Sequence, residues 1–267
     1  MSTWKYFQIK FPTFQTYPME FERIADIKRL KFIRDALKNS LPIGAEVLDV
    51  GCGNGVISRS LGAEGFRVRG VDVSEKAILR AKELNSLTNV QFEVKSAEQL
   101  VADGTKYHAV ICSEVLEHLQ DPSSLVSVLY KILHPEGVLI VTVPNGSGPR
   151  ELLITRPVIA LQKHNGVLWK AVQFVKRKLG YSGTTVQSSA DDLTHIQFFT
   201  RASLQQLAEK NSFKITMLGK TNFIEDVFPF SLVTKKIKAL QKLDCAIAEH
   251  LPYQLTGGFV TIWKKAE

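Results

Sequence analysis

Val47-Leu48-Asp49-Val50-Gly51-Cys52-Gly53-Asn54-Gly55 runs from an apolar, β-branched stretch into three glycines at alternate positions. Glycine lets the backbone pass close to a ligand, and a helix starting beyond Gly55 would offer unpaired N–H groups at its N-terminus. The chemistry of such a turn is the holding of a small polar molecule. G-x-G alone also serves a plain tight turn, so it decides little by itself. The dinucleotide fingerprint requires its third glycine where Val56 stands, and this chain has Gly55 instead. About twenty residues on, Gly70-Val71-Asp72-Val73-Ser74 sets a carboxylate at the end of the next apolar run, where it can accept both hydroxyls of a ribose. Ser74 suits the capping of the helix that follows, which leaves Asp72 for the ligand.

Two further groupings contain acids and bases. His195 lies in Leu193-Thr194-His195-Ile196-Gln197-Phe198-Phe199-Thr200, and an imidazole near its ordinary pKa suits proton transfer at neutral pH. The alternative is a hydrogen-bonded hinge residue. Glu114, Glu117 and His118 stand at i, i+3 and i+4 and would share one face if a helix starts there. Asp191 and Asp192 read as a solvated loop.

The elements that must position these residues follow from periodicity. Ile24, Ile27, Leu30, Ile33 and Leu37 mark an amphipathic helix over Phe21 to Leu37. Beyond Pro42, strands at Glu46–Val50, Arg67–Val71, Val90–Val94, Ala109–Cys112 and Val138–Val143 alternate with helices at Val56–Ala63, Ser74–Leu84 and Ser123–Leu133. That alternation predicts βα units and a parallel sheet. His134-Pro135-Glu136-Gly137 reads as a helix stop. Between Pro144 and Thr194 the rhythm lapses into a basic, apolar-rich stretch that includes Arg150, Arg156, Lys170 and Lys176-Arg177-Lys178, read as a helical insertion. It resumes with a helix Arg201–Lys210, a strand Phe213–Leu218, a helix from about Leu232 to Glu249 and a strand Phe259–Trp263. The expected fold is α/β: a Rossmann-like, seven-stranded, mostly parallel sheet with helices on both faces and a helical insertion after strand 5. It divides into a helical cap (1–40), a core (41–145), a basic lid (146–195) and the C-terminal part of the core (196–267).

With Val47 to Gly55, Asp72, Ser96-Ala97-Glu98 and Ser113-Glu114-Val115-Leu116-Glu117-His118, the chain resembles class I S-adenosylmethionine-dependent methyltransferases. The resemblance is strong over about Leu41 to Val143 and looser in the C-terminal strands. It implies that Asp49 and the backbone of Gly51, Cys52, Gly53 and Gly55 hold the amino-acid end of S-adenosyl-L-methionine, and that Asp72 holds its ribose. Val73, Ser96 and Ala97 would contact adenine, and Ser113 would line the methionyl part. Many relatives carry Asp where Ser96 stands, so adenine binding here leans more on Val73 and on backbone groups. The Thr194-His195 pair followed by Phe resembles ubiquinone-pathway O-methyltransferases and makes His195 the candidate catalytic base. Some quinone O-methyltransferases use a Glu114/Glu117/His118-like pattern for a divalent metal, but many relatives with a Glu-His pair need none, and no metal is expected here. Pro144 to Arg150 and His195 to Thr200 also resemble methyltransferases found beside bacterial polysaccharide and glycolipid assembly enzymes.

The acceptor is therefore expected to be a small molecule, a glycan or a lipid-linked intermediate, methylated on oxygen. The rivals are a ubiquinone-type phenol O-methyltransferase at the membrane surface, an RNA methyltransferase and a non-catalytic cofactor-binding protein. The net charge of +8 suits nucleic acid or anionic lipid. Nucleic acid is disfavoured, because no RNA-binding module is recognisable and Cys112-Ser113-Glu114-Val115 stands where an amine methylase would carry an Asn-Pro-Pro-Tyr-like motif. Basic residues of 150–180 could rest on an anionic membrane. Three dispersed cysteines, no apolar leader and no long apolar span point to a cytoplasmic protein.

Overall fold

The apolar runs pair as the alternation requires. The computed structural model describes residues 21–157, 196–234 and 236–266. Its strands are β1 (Glu46–Val50), β2 (Arg67–Asp72), β3 (Val90–Val94), β4 (Tyr107–Ser113), β5 (Leu133–Pro144), β6 (Phe213–Lys220) and β7 (Gly258–Lys265). The described residues place all seven in one sheet, in the order β3-β2-β1-β4-β5-β7-β6. The first five pair in parallel, whereas β7 runs antiparallel to both β5 and β6.

Alternate residues of the central strands feed two separate cores, as a pleated sheet buried on both faces demands. Leu48, Val110 and Val141 face α4 (Ala97–Ala102), α5 (Pro122–Ile132) and, after the insertion, α6 (Arg201–Lys210). Val47, Ile111 and Ile140 face α1 (Ile24–Ser40), α2 (Val56–Ala63) and α3 (Glu75–Leu84). The final helix, α7 (Lys238–His250), packs on α1. Helix starts carry the capping chemistry that their sequences offer. Ser74 accepts from the Ala77 N–H at 3.3 Å, and Asp121 Oδ1 accepts from Ser123 and Ser124 ahead of a helix that opens on Pro122.

Three boundaries differ from the sequence reading. The helix before His134 does stop there, α5 ending at Ile132, but β5 begins at Leu133 rather than at Val138 and takes in His134 to Gly137; Gly137 is needed because a β-carbon there would stand 2.8 Å from the Leu133 side chain and 3.0 Å from the His108 carbonyl. The helix expected from about Leu232 to Glu249 is divided into a turn at Ser231–Thr234 and α7, since Ile237 is extended and Gln241 Nε2 reaches back to the Thr234 carbonyl. Helix α4 went unforeseen, for it is six residues long and buries only Ala97 and Leu100, too little for a period to show.

Gly55 sits at φ +78°, and a β-carbon on it would lie 2.3 Å from Phe92 Cζ. Gly55→Ala should cost about 2–4 kcal/mol, combining left-handed strain with overpacking. Phe92→Leu in the same chain should return the overpacking part but not the strain. Urea titration of the single and double variants checks this; fully additive effects would show that Phe92 is not the clash.

Candidate active site

β2 and β3 lie on one side of β1, and β4 and β5 lie on the other, so the strand order reverses between β1 and β4. Open α/β sheets bind ligands beyond the carboxyl ends of their strands at such a point. The glycine turn follows β1 there. Gly51, Gly53 and Gly55 have φ of +68°, +54° and +78°, a backbone that side-chain-bearing residues adopt at a cost of about 1–2 kcal/mol each.

The turn's own hydrogen bonds are mostly internal. Gly51 and Cys52 both donate their N–H groups to the Val71 carbonyl, at 2.8 and 3.0 Å, and Gly55 donates to the Cys52 carbonyl at 2.9 Å. Gly53 donates to Asp72 Oδ2, also at 2.9 Å. Four N–H groups that could have met a ligand are thus spent inside the protein. A phosphate needs such donors, whereas a cationic ligand end needs carbonyls; those of Cys52, Asn54 and Gly55 each already accept one donor, from the Gly55 N–H, Arg59 Nη1 and the Arg59 N–H, and keep a second lone pair.

Asp72 is half-buried, and its other oxygen accepts from the Ser74 N–H at 2.8 Å. Each carboxylate oxygen therefore holds one backbone donor and keeps a lone pair for a second. Val73 follows with its side chain 76% exposed, an apolar surface beside the carboxylate. Ser96 and Ala97 lie beyond the end of β3; Gln99 Oε1 accepts the Ser96 N–H, and Ala97 is buried. Asp49 shares the Val47 face of β1 and lies under the turn, 1% exposed, with Oδ2 accepting from Ser58 Oγ at 2.6 Å. Burial raises its pKa to about 7 despite that hydrogen bond. It braces the turn from beneath. Cys52 is buried as well, and burial pushes its thiol up.

The loop after β4 closes the opposite wall. Ser113 is buried, and its Oγ lies 2.9 Å from Thr142 Oγ1. Thr142 donates to Glu114 Oε1 at 2.9 Å, so Ser113 is the donor in its own bond. Glu114 has φ +58° and pairs with Arg29 of α1 at 3.2 Å. Leu116–His118 is one 3-10 turn, so Glu114, Glu117 and His118 do not share a helix face. Glu117 is 1% exposed with Oε2 lacking a hydrogen bond; burial, then the Glu114 carboxylate, push its carboxyl well above the usual range. Among the described residues, no group of three or more His, Cys, Asp and Glu is placed to hold a metal.

The structure thus brings Asp49, Gly51, Cys52, Gly53, Gly55, Asp72, Val73, Ser96, Ala97 and Ser113 to one edge of the sheet. His195, Asp191 and Asp192 lie outside the described residues. The residues after His195 are described: Ile196 and Gln197 both donate N–H groups to the Glu117 carbonyl, at 2.8 and 2.9 Å.

This arrangement has relatives. A family model described as "Methyltransferase domain" matches residues 21–218. The chain belongs to that family. Over 123 residues this methyltransferase domain is 37% identical to a ubiquinone biosynthesis O-methyltransferase of Ralstonia nicotianae, covering 44% of this chain and 50% of that protein. A second, from Xanthomonas axonopodis pv. citri, is 35% identical over 120 residues, 44% of this chain and 49% of the relative. The matched region thus spans about half the length of these curated relatives. In fold, the methyltransferase domain is similar to a magnesium protoporphyrin IX methyltransferase from Synechocystis PCC 6803 with bound SAH, at TM-score 0.53 and 19% identity, covering 91% of this chain and 81% of that one. It is similar also to PKMT2 from Rickettsia typhi, at TM-score 0.56 and 20% identity, covering 96% and 54%.

Sequence reasoning missed four residues of this methyltransferase domain's site. Ser58 and Thr142 carry no signal beyond lying in a helix and a strand. Arg29 fits the polar face of an amphipathic helix and is in fact 8% exposed. Glu151, 1% exposed and among the charges that raise Glu117, did leave a trace: it is the only acid between Pro144 and Ala190.

Asp49 gives a pH signature. Its proton is retained in the folded state up to about pH 7 but is lost near 4 in the unfolded chain, so its contribution to stability falls as pH rises through that window. Asp49→Asn has no such proton to lose. The stability of the variant relative to the native chain should therefore rise steadily between about pH 4 and 7, read from urea midpoints across the range. A difference that does not change with pH would mean that Asp49 is ionised in the fold.

Proposed function

We propose that the chain transfers the methyl group of S-adenosyl-L-methionine to an oxygen of a small-molecule, glycan or lipid-linked acceptor. The observation that carries this is the pairing of a glycine turn, four of whose N–H groups are held inside the protein, with a carboxylate that keeps two lone pairs free. The cofactor's amino-acid end is cationic at its ammonium and its ribose offers two vicinal hydroxyls, so the residues present fit it. Asp72 would accept the ribose hydroxyls, Val73 and Ala97 would flank adenine, and the turn from Gly51 to Gly55 would meet the ammonium through carbonyls. Asp49 and Ser58 would hold that turn in place, and Ser113, its hydroxyl committed to Thr142, would line the methionyl part through its backbone. Bound there, S-adenosyl-L-methionine supplies an electrophilic methyl group.

The protein's own task is then to orient an acceptor oxygen, exclude water and take up a proton. We assign the proton to His195. What supports this is the anchoring of its neighbours: Ile196 and Gln197 on Glu117, and Phe199, which is buried in the core. The segment 146–195 serves as acceptor lid. Gly146 donates to the Phe199 carbonyl at 2.7 Å, so the chain leaves and returns at the same place on the carboxyl edge. The ubiquinone biosynthesis O-methyltransferases at 35–37% identity favour a second reading in which the acceptor is a phenol. No helix among the described residues is long and apolar enough to cross a membrane.

Asp72→Ala should weaken S-adenosyl-L-methionine binding at least tenfold, since hydrogen bonds to a charged partner are worth about 1.5–3 kcal/mol each and the Gly53 tether is lost with them. Calorimetric titration showing unchanged affinity would refute the site. His195→Ala should lower turnover of a hydroxyl acceptor by about 10²-fold with cofactor affinity nearly unchanged; full turnover would leave the lid but remove the base. Treatment with a chelator should leave turnover intact. A loss restored by magnesium and absent in Glu117→Ala would reverse that expectation.

A further inference from the structure

β6 ends at the same edge as the cofactor turn, because Lys220 and Val143 both pair with Phe259. The connection from β6 to β7 therefore begins and ends at the carboxyl edge of the sheet, on the β5 side of the cofactor turn. It is unusually apolar on its outside. Phe228, Phe230, Leu232 and Val233 are each between 39% and 53% exposed. In α7, Leu240, Leu243 and Ile247 recur at three- and four-residue steps and stand open, while Gln241, Asp244, Cys245 and Ala248 are buried on the opposite side against α1. Exposed apolar residues scattered singly need no explanation, but a run of them along one connection does.

The charge on this stretch has one sign. Residues 227–243 include four lysines, Lys235, Lys236, Lys238 and Lys242, and no acid, and Lys236, Lys238 and Lys242 are exposed. The next acid, Asp244, is buried and accepts from the Phe223 and Ile224 N–H groups at 2.7 and 2.9 Å, so it does not offset the lysines at the surface. Apolar side chains set among lysines match an anionic bilayer, where the former enter the acyl boundary and the latter meet headgroups. A second copy of the chain matches poorly, because a two-fold contact sets the same patch against itself and lysine against lysine.

We propose that the surface from Phe228 to Ile247 docks on an anionic lipid bilayer and turns the acceptor side of the site toward it. Taken with the proposed methyl transfer, on which this last step rests, the acceptor is then a molecule presented at the lipid surface. The docking itself needs no turnover, which separates the two readings.

The test is co-sedimentation of the full chain with vesicles of phosphatidylcholine alone and of phosphatidylcholine mixed with phosphatidylglycerol, at low and high salt. Binding should be at least about tenfold stronger on the anionic vesicles and should weaken with salt. Phe230→Ser with Leu243→Ser, and separately Lys236→Glu with Lys238→Glu, should each lower it about tenfold while S-adenosyl-L-methionine titration stays as in the native chain. All four residues are exposed, so folding should survive. Equal binding to both vesicle types, or native binding by both variants, overturns the proposal. So does loss of binding only on Lys176→Glu with Arg177→Glu and Lys178→Glu, which would move the contact to the insertion. A dimer dispersed by Leu243→Ser, in a chain that ignores vesicles, would assign the face to a second copy. Failure to bind S-adenosyl-L-methionine with docking intact would sink the methyltransfer reading alone.

Discussion

The hydrogen bond from the Gly53 N–H to the Asp72 carboxylate joins the first two βα units beside the point where the strand order reverses. Around it the conformation of the turn is over-determined. Gly51 and Cys52 are tied to the end of β2, Asp49 and Ser58 hold the turn from below, and Val115 presses on Gly51 so closely that a β-carbon there would stand 2.5 Å from its Cγ2. A binding site fixed this way meets its ligand without a large ordering cost. The same bonds take up four of the donors that the turn could have offered a ligand.

Charge also explains why α1, which looks like a covering helix, belongs to the site. The loop after β4 holds Glu114 in a left-handed conformation and buries Glu117 beside it, with Glu151 close enough to raise the latter. Carboxylates gathered away from water repel one another unless a cation or a proton intervenes. Arg29 pairs with Glu114, while burial and the neighbouring carboxylates push the Glu117 carboxyl well above the usual range. Helix, loop and the start of the insertion are in this way linked by electrostatics rather than by apolar contact alone.

What could be read from the sequence follows from what has a period or a fixed spacing. All seven strands show as apolar runs, since the central ones are buried on both faces, and the glycine turn and Asp72 stand at the ends of two of them. Side chains that act through partners far along the chain left little trace. Nothing local distinguishes Ser58 from any serine in a helix, and Arg29 meets Glu114 only because the fold lays α1 across the sheet. The break before α7 is of the same kind, since it depends on Gln241 bonding both Thr234 and Ile24. The glycine turn was legible as a ligand turn but not in its polarity, because sequence does not tell which N–H groups the neighbouring strand will claim.

The bond between Gly146 and Phe199 bears on how such a protein can change over time. A β-carbon on Gly146 would stand 2.4 Å from the Phe198 carbonyl carbon, and Arg156 both donates to the Gly146 carbonyl and lies over the Phe198 ring. The two stems are clasped at their base, so the sheet does not sense how many residues lie between them. Closing a loop twice as long costs only about 0.6 kcal/mol more. Past Arg156 the stretch between the stems can therefore lengthen, shorten or be exchanged at little cost to the sheet, and under the proposed function that lets new acceptors be tried against an unaltered source of methyl groups.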